Sequence, residues 1–232
     1  MKIEIWSDFA CPFCYIGKTR FEQALNEFKQ KNDVEVVYKA YQLNPNAPKE
    51  MKGDAIESFA KSHGMSVSDA KQRFTMFEQN AKTVGLTYNY DIIQMTNTFD
   101  AHRIAKYANQ FGLEPKLTTR LMKAYFTDGK NLSDKNTLVE LAVEVGLNEA
   151  EVKTVLDENK FADQVQAEIM EARQVGVQGV PFFVINRKYG VSGAQQKEYF
   201  LQALQKIYEE EKPIQTLASD DAGACGDEEC TF

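Results

Sequence analysis

The sequence predicts an α/β chain in which a large helical block interrupts a small sheet. Three observations predict it. Residues 2–41 read as strand, helix, strand; residues from about 50 to 175 read almost wholly as helix; strands then return near residue 181 and a last helix follows. The 232 residues, 43% hydrophobic and 26% charged, have the composition of an ordinary globular protein long enough for a sizeable core. No stretch approaches the ~18 consecutive apolar residues of a membrane span. Twenty-seven basic residues against 34 acidic ones leave a net charge of -7. Such a chain repels phosphate backbones, so neither nucleic acid nor membrane is an expected partner.

Each element has a local cause. Ile3 and Ile5 alternate with charged neighbours, which marks the first strand, and Ser7 and Asp8 follow as loop or cap residues. Ile16, Phe21, Leu25 and Phe28 recur at roughly helical spacing, predicting an amphipathic helix from Cys14 to about Gln30. Residues 34–41 are β-branched and aromatic, a second strand, and the helical crossover favours parallel pairing. Asn44, Pro45, Asn46, Ala47 and Pro48 break the chain.

In the helical block, glycines punctuate the ends. Ser68 is a candidate cap for a helix running to Val84, Asn97 for one ending near Gly112, and Ser133 for one stopping at Gly146. Pro115 suits a first helical turn, and Asn148 with Glu151 resembles a capping box. A further helix is expected over 161–175. Pro181 to Asn186 reads as a strand, Arg187 and Lys188 as its turn, and Tyr189-Gly190-Val191 as the hairpin partner. Residues 195–210 close the fold, with Tyr199, Leu201, Leu204 and Ile207 as most of the apolar stripe. Beyond Glu209 the chain turns acidic and poor in apolar residues, the composition of a flexible tail.

The strongest chemical signal is Cys11-Pro12-Phe13-Cys14, between the first strand and the first helix. A C-x-x-C at that place in a β-α-β opening reads as a thioredoxin-like redox pair. A cysteine at a helix N-terminus faces unsatisfied N–H groups and the positive end of the dipole, which stabilise a thiolate. That makes Cys11 the nucleophile. Cys14, one turn on, is placed to resolve the mixed disulfide. Pro12 has the φ that a first helical turn wants. Half of a zinc site and a pair of inert cysteines are the alternatives; only Cys225 and Cys230 are left to complete a zinc set made of cysteines alone.

Ser7-Asp8-Phe9-Ala10-Cys11-Pro12-Phe13-Cys14-Tyr15-Ile16-Gly17 resembles the active-site segment of the DsbA family, and within it the FrnE-like cytoplasmic branch. The likeness extends to Asn97-Thr98-Phe99-Asp100-Ala101-His102-Arg103, to Gly179-Val180-Pro181-Phe182-Phe183-Val184, and to Val191-Ser192-Gly193-Ala194-Gln195. It implies a thioredoxin fold with a large inserted all-helical domain. The expected division is 1–45 and 166–211 for the thioredoxin fold, 46–165 for the insertion and 212–232 for the tail. The resemblance also implies disulfide exchange, reduction or isomerisation, with protein or low-molecular-weight thiols and disulfides as partners. No cofactor beyond the redox-active disulfide is implied, with glutathione as a possible co-substrate.

The same resemblance implies that Val180-Pro181 is a cis peptide beside the active site. Read without it, Pro181 is an ordinary trans proline at a strand start. Pro12, Phe13, Val180 and Pro181 are expected to touch substrate. Phe13 stands where the secreted oxidant of the family has a histidine, so the pair is expected to be a weaker oxidant. His102 and Asn97 are further candidates for substrate contact, against the simpler reading of His102 as a packed histidine with a satisfied hydrogen bond. His63, beside Gly64 at an expected helix end, reads as a surface residue that complements the dipole.

Cys225 and Cys230 form a second pair, C-x4-C, on the acidic tail. They are candidates for an auxiliary redox pair that exchanges with Cys11. An idle exposed pair, or a weak metal site with Asp227 and its neighbours, are the alternatives. Met1 to Asp8 show no basic stretch followed by an apolar one, so a cytoplasmic location is expected. A glutathione-dependent isomerase or transferase is the rival enzyme class, which the intact C-x-x-C argues against. A non-enzymatic zinc-binding protein is the rival outside catalysis.

Overall fold

The structure, a computed structural model, describes residues 1–211, so Cys225 and Cys230 lie outside the described residues. Strand β1 (Lys2–Ser7) leads into helix α1 (Pro12–Glu27), and β2 (Glu35–Ala40) returns parallel to β1. The hairpin of β3 (Phe182–Ile185) and β4 (Tyr189–Ser192) pairs antiparallel along the other side of β1. The sheet order is therefore β2-β1-β3-β4.

Period-2 alternation in β1 builds both sides of the sheet. Ile3 and Ile5, with Phe183 and Ile185, meet Phe21 and Ala24 of α1 and Phe200, Leu204 and Ile207 of α9 (Lys197–Glu210). Trp6 and Val184 face the opposite way, toward Ala172 of α8 (Ala162–Gln174). The Trp6 indole N–H donates to the Glu168 carbonyl at 3.0 Å, so the buried ring keeps its one hydrogen bond.

Between β2 and α8 run α2 (Ala55–Ser62), α3 (Val67–Lys82), α4 (Phe99–Asn109), α5 (Glu114–Phe126), α6 (Lys135–Glu144) and α7 (Glu149–Asp157). Their core includes Phe74, Ile104, Leu117, Leu121 and Leu138, and it runs without a break onto Cys11, Cys14, Tyr15 and Ile16. The start of α1 thus sits at the seam between the sheet and the helical region.

Several boundaries differ from the sequence reading. Helix α1 begins at Pro12 and ends at Glu27, which makes Cys11 its N-cap residue. Ser66, not Ser68, caps α3, and Asp134, not Ser133, caps α6; each side chain accepts the backbone N–H three residues on. Thr98, not Asn97, holds the N-cap position of α4; Asn97 stands one residue earlier, and its side chain accepts from Phe99 N–H at 2.9 Å. Asn148 caps α7, but Glu151 turns away from the cap to accept from the Tyr107 hydroxyl. In α9 the buried aromatic is Phe200, while Tyr199 is exposed. Helix α3 ends at Lys82, two residues short of Val84, and the turn that follows closes at Gly85: Leu86 N–H bonds back to Ala81 and Gly85 N–H to Lys82. That closure needs φ +79° at Gly85.

Candidate functional site

The backbone N–H of Cys11 donates to the Asp8 carbonyl at 3.1 Å, a tight turn that drops the chain from β1 into α1. Pro12 fills the first helical position, and Cys14 N–H reaches back to the Cys11 carbonyl at 3.0 Å. Both thiols are free and nearly enclosed, Cys11 4% exposed and Cys14 1%. Cys11 Sγ, the less buried, lies 3.5 Å from the Val180 carbonyl and donates to it. The Val180–Pro181 bond is cis, as the resemblance implied. Four sequence-distant candidates thus meet: Cys11, Cys14, Val180 and Pro181.

Burial pushes the Cys14 thiol well above its usual range, and the neighbouring Cys11 adds to the rise. The Ser7 hydroxyl and the Asp8 backbone N–H pull the other way, without winning. Cys14 is therefore a thiol at neutral pH, and it must lose a proton before it can attack sulfur.

Aromatic side chains surround the pair. Phe13 sets its ring edge-on to Phe77, with centroids 5.4 Å apart. The Tyr88 hydroxyl donates to the Pro12 carbonyl at 2.7 Å, so the segment between α3 and α4 holds the dipeptide between the cysteines. Tyr88 itself stacks on Phe126 at 4.4 Å.

Asp8 is the hub that sequence reasoning missed. Its buried carboxylate accepts from Ala10 N–H at 3.3 Å, Leu43 N–H at 2.8 Å and the Thr98 hydroxyl at 2.8 Å. It thus ties the active-site turn to the loop after β2 and to the start of α4. Its place in Ser7-Asp8-Phe9-Ala10-Cys11, three residues before the first cysteine, is the signal that could have found it.

His102 is buried behind this turn rather than on its surface. Its ring packs on Phe9 at 4.5 Å, and Nε2 is 3.7 Å from Asp8 Oδ1 without a hydrogen-bond partner. Asn97 holds the loop after β2, donating to the Pro45 carbonyl at 2.8 Å and accepting from Gln42 at 3.3 Å. His63 caps the end of α2 and stacks on Phe59 at 4.0 Å. Among the described residues, no cluster of three or more His, Cys, Asp or Glu is arranged to hold a metal ion, and no helix is long and apolar enough to cross a membrane.

A family model, the DSBA-like thioredoxin domain, matches residues 2–205. The chain belongs to this family. This DSBA-like domain is 39% identical to a probable DsbA oxidoreductase of Streptomyces coelicolor. That crystal structure superposes on 100% of this chain and 99% of its own with a TM-score of 0.86. YwbO, an uncharacterized protein of Bacillus subtilis (strain 168), is 26% identical over 204 residues, 87% of this chain and 94% of that one. The cytosolic disulfide reductase DsbM of Pseudomonas aeruginosa, solved with GSH, is 14% identical. It covers 90% of this chain and 100% of its own at a TM-score of 0.64, a likeness of fold. The DSBA-like domain described here is thus a thioredoxin fold with an inserted helical region, a member of the DsbA-like thiol oxidoreductase superfamily.

Proposed function

We propose that the chain exchanges disulfides through Cys11 and Cys14, with Cys11 as nucleophile and Cys14 as resolving thiol. The observation that carries this reading is the placement of Cys11 at the N-cap of α1 with the more deeply buried Cys14 one turn behind it. Cys11 stands at the N-terminal end of the α1 dipole, while burial keeps Cys14 protonated until it is needed. The Cys11 thiolate attacks a substrate disulfide, and a mixed disulfide forms as one substrate sulfur leaves. Cys14 then attacks Cys11, and the second substrate sulfur leaves as a thiolate.

The substrates are protein or low-molecular-weight disulfides. Pro12, Phe13, Val180 and Pro181 form the surface they meet. Val180 lies outside the β1–β3 pairing, which begins at Phe182, so its backbone is placed to bond an extended substrate segment. In a reducing cytoplasm the pair works as a reductase or isomerase, with glutathione as the thiol that resets it. Cys225 and Cys230 serve as an auxiliary pair that passes electrons to Cys11.

The test is a pair of variants assayed by reduction of insulin disulfides. Cys11→Ser abolishes turnover, and Cys14→Ser accumulates mixed disulfides on Cys11. Mass spectrometry of the trapped Cys14→Ser protein reads whether Cys225 or Cys230 is joined to Cys11. Full turnover in Cys14→Ser, or trapping by Cys11→Ser instead, overturns the assignment of roles. An absence of bridges to the tail removes its auxiliary role.

A further inference from the structure

A hollow of about 430 Å3 opens where the end of α4 meets α7 and the loop from α7 to α8. That volume lies within the roughly 300–1,000 Å3 of small-ligand sites. None of the residues that line it belongs to the active-site turn or to the loop of Pro181. Three aromatic rings form its apolar walls. Tyr107, on the last turn of α4, meets Phe111 just beyond that helix, with centroids 5.1 Å apart and planes at 74°. Phe161, at the N-cap of α8, stands 6.1 Å from Tyr107 at 53°. Rings at such angles make a corner rather than a stack. Phe111 is 53% exposed, a large apolar ring left in water at the mouth.

Phe161 stands there against its own preference. It adopts φ +63°, and Asn159 two residues earlier adopts φ +52°. A bulky side chain rarely takes this left-handed conformation, and such strain persists only where the surroundings fix it. What fixes it is Arg103, a buried side chain of α4. Its Nε donates to the Lys160 carbonyl at 2.8 Å and its Nη2 to the Val155 carbonyl, which ties the strained loop to α7 from beneath. The third ring is therefore held in place before any ligand arrives.

The charge in the hollow is a carboxylate. Glu151, on the first turn of α7, accepts from the Tyr107 hydroxyl, which fixes it beside that ring. Lys160 is the basic side chain at the rim, and its ammonium pairs with Glu158 at 2.9 Å rather than with Glu151. Among the described residues, Glu151 thus keeps an uncompensated negative charge next to three rings. Aromatic faces are themselves the negative side of the ring quadrupole, so every wall favours positive charge.

We propose that this hollow binds a small organic cation, one that carries a trimethylammonium group, seated between Tyr107, Phe111 and Phe161 with Glu151 as its counter-charge. A bare ammonium is compact and strongly hydrated, and it stays in water. Methyl groups spread the charge and give it an apolar surface that three rings can cover. An anion would find only Lys160, already paired. A neutral apolar ligand would cover Glu151 without compensating it. The site is independent of the roles of Cys11 and Cys14, and no covalent step takes place in it.

The experiment titrates the full chain with choline and, separately, with dimethylbutanol, the neutral alcohol of the same shape with carbon in place of nitrogen. Dissociation constants are read from the methyl proton resonances of each ligand. Choline binds about tenfold more tightly than the alcohol, the ratio that ~1.4 kcal/mol of cation–π and charge attraction gives. Phe111→Ala removes a ring already half in water, so the fold survives, and it weakens choline by about two- to fivefold. Glu151→Gln keeps the shape and lowers the preference for choline over the alcohol by about three- to fivefold. Equal affinity for the two ligands, or binding of neither, overturns the cation site on the wild-type chain alone. Choline binding that either variant leaves unchanged puts the cation elsewhere and overturns it too. Sedimentation with phosphatidylcholine vesicles separates a free solute from a lipid headgroup. The chain is expected to stay in the supernatant, and pelleting that Phe111→Ala abolishes would overturn the free solute.

Discussion

What stands between and beside the two sulfurs decides their chemistry. Phe13 carries no charge and spends its ring on Phe77. An imidazolium at the same place would stabilise the thiolate of the reduced form, and stabilising the reduced form makes a pair more oxidising. Phe13→His is therefore expected to raise the reduction potential by tens of millivolts, since about 30 mV corresponds to ~1.4 kcal/mol for this two-electron couple. Loss of the edge-on contact costs about 0.5–1.5 kcal/mol in stability, a separate readout. Equilibration in a series of glutathione redox buffers measures the first quantity, and an unchanged potential would show that the dipeptide does not control the site. The two cysteines were legible in the sequence because their spacing is the chemistry. Asp8 and Glu114 were not, because their partners are remote; His102 was picked out, but not its place behind Asp8. Asp8 is joined to Leu43 and Thr98, 35 and 90 residues away, and no local pattern encodes that.

Elements with a clear hydrophobic period were legible, and their ends were less so. Ser66-Val67-Ser68-Asp69 offers three residues suited to capping, so the sequence left the start of α3 open by two positions. The stripe of α9 misled in the same way, because Tyr199 and Phe200 are adjacent and only the second faces the sheet. The seat of α1 was readable only in part. Gly17 lies on its inner face, where a Cβ would stand 2.9 Å from Pro181 Cγ and 3.3 Å from Ala194 Cα. Two effects compete in Gly17→Ala. Helix propensity gains up to about 1 kcal/mol, while overpacking against a ring that cannot swing aside costs about 1–3 kcal/mol. Overpacking is expected to win, by at most about 2 kcal/mol in urea denaturation. Because Pro181 follows the residue that Cys11 touches, exchange with substrate should slow as well. A variant stabilised by the full propensity gain with unchanged turnover would show that the approach of α1 to this loop has slack.

For the molecule as a whole, the question is what locks the helical region onto the sheet. Apolar packing supplies most of it, and composition alone announced that. The polar part is Lys106 on α4, which no periodicity singles out. Its buried ammonium donates to the Tyr38 carbonyl of β2 at 2.6 Å and pairs with Glu114 of α5 at 2.8 Å and Glu168 of α8 at 3.2 Å. One cation thus joins four elements. Removing it in Lys106→Met keeps much of the apolar stem but leaves Glu114 buried without its cation and takes one partner from Glu168, which keeps the Ala40 N–H, a loss of about 3–5 kcal/mol near neutral pH. The pH dependence follows from the sign of the Glu114 shift. Its folded-state value is already raised by burial, and losing Lys106 removes the charge that pulls it down, so it rises further. A carboxyl raised on folding contributes stability that is present below its unfolded value and lost as pH rises through its folded value. The deficit of Lys106→Met should therefore be largest at neutral pH and shrink as the solution is acidified toward the ordinary glutamate range. Thermal unfolding of wild type and variant across that interval measures it. Parallel curves would mean that the carboxylates find water or other donors when the ammonium is gone, and that packing alone holds the helical region to the sheet.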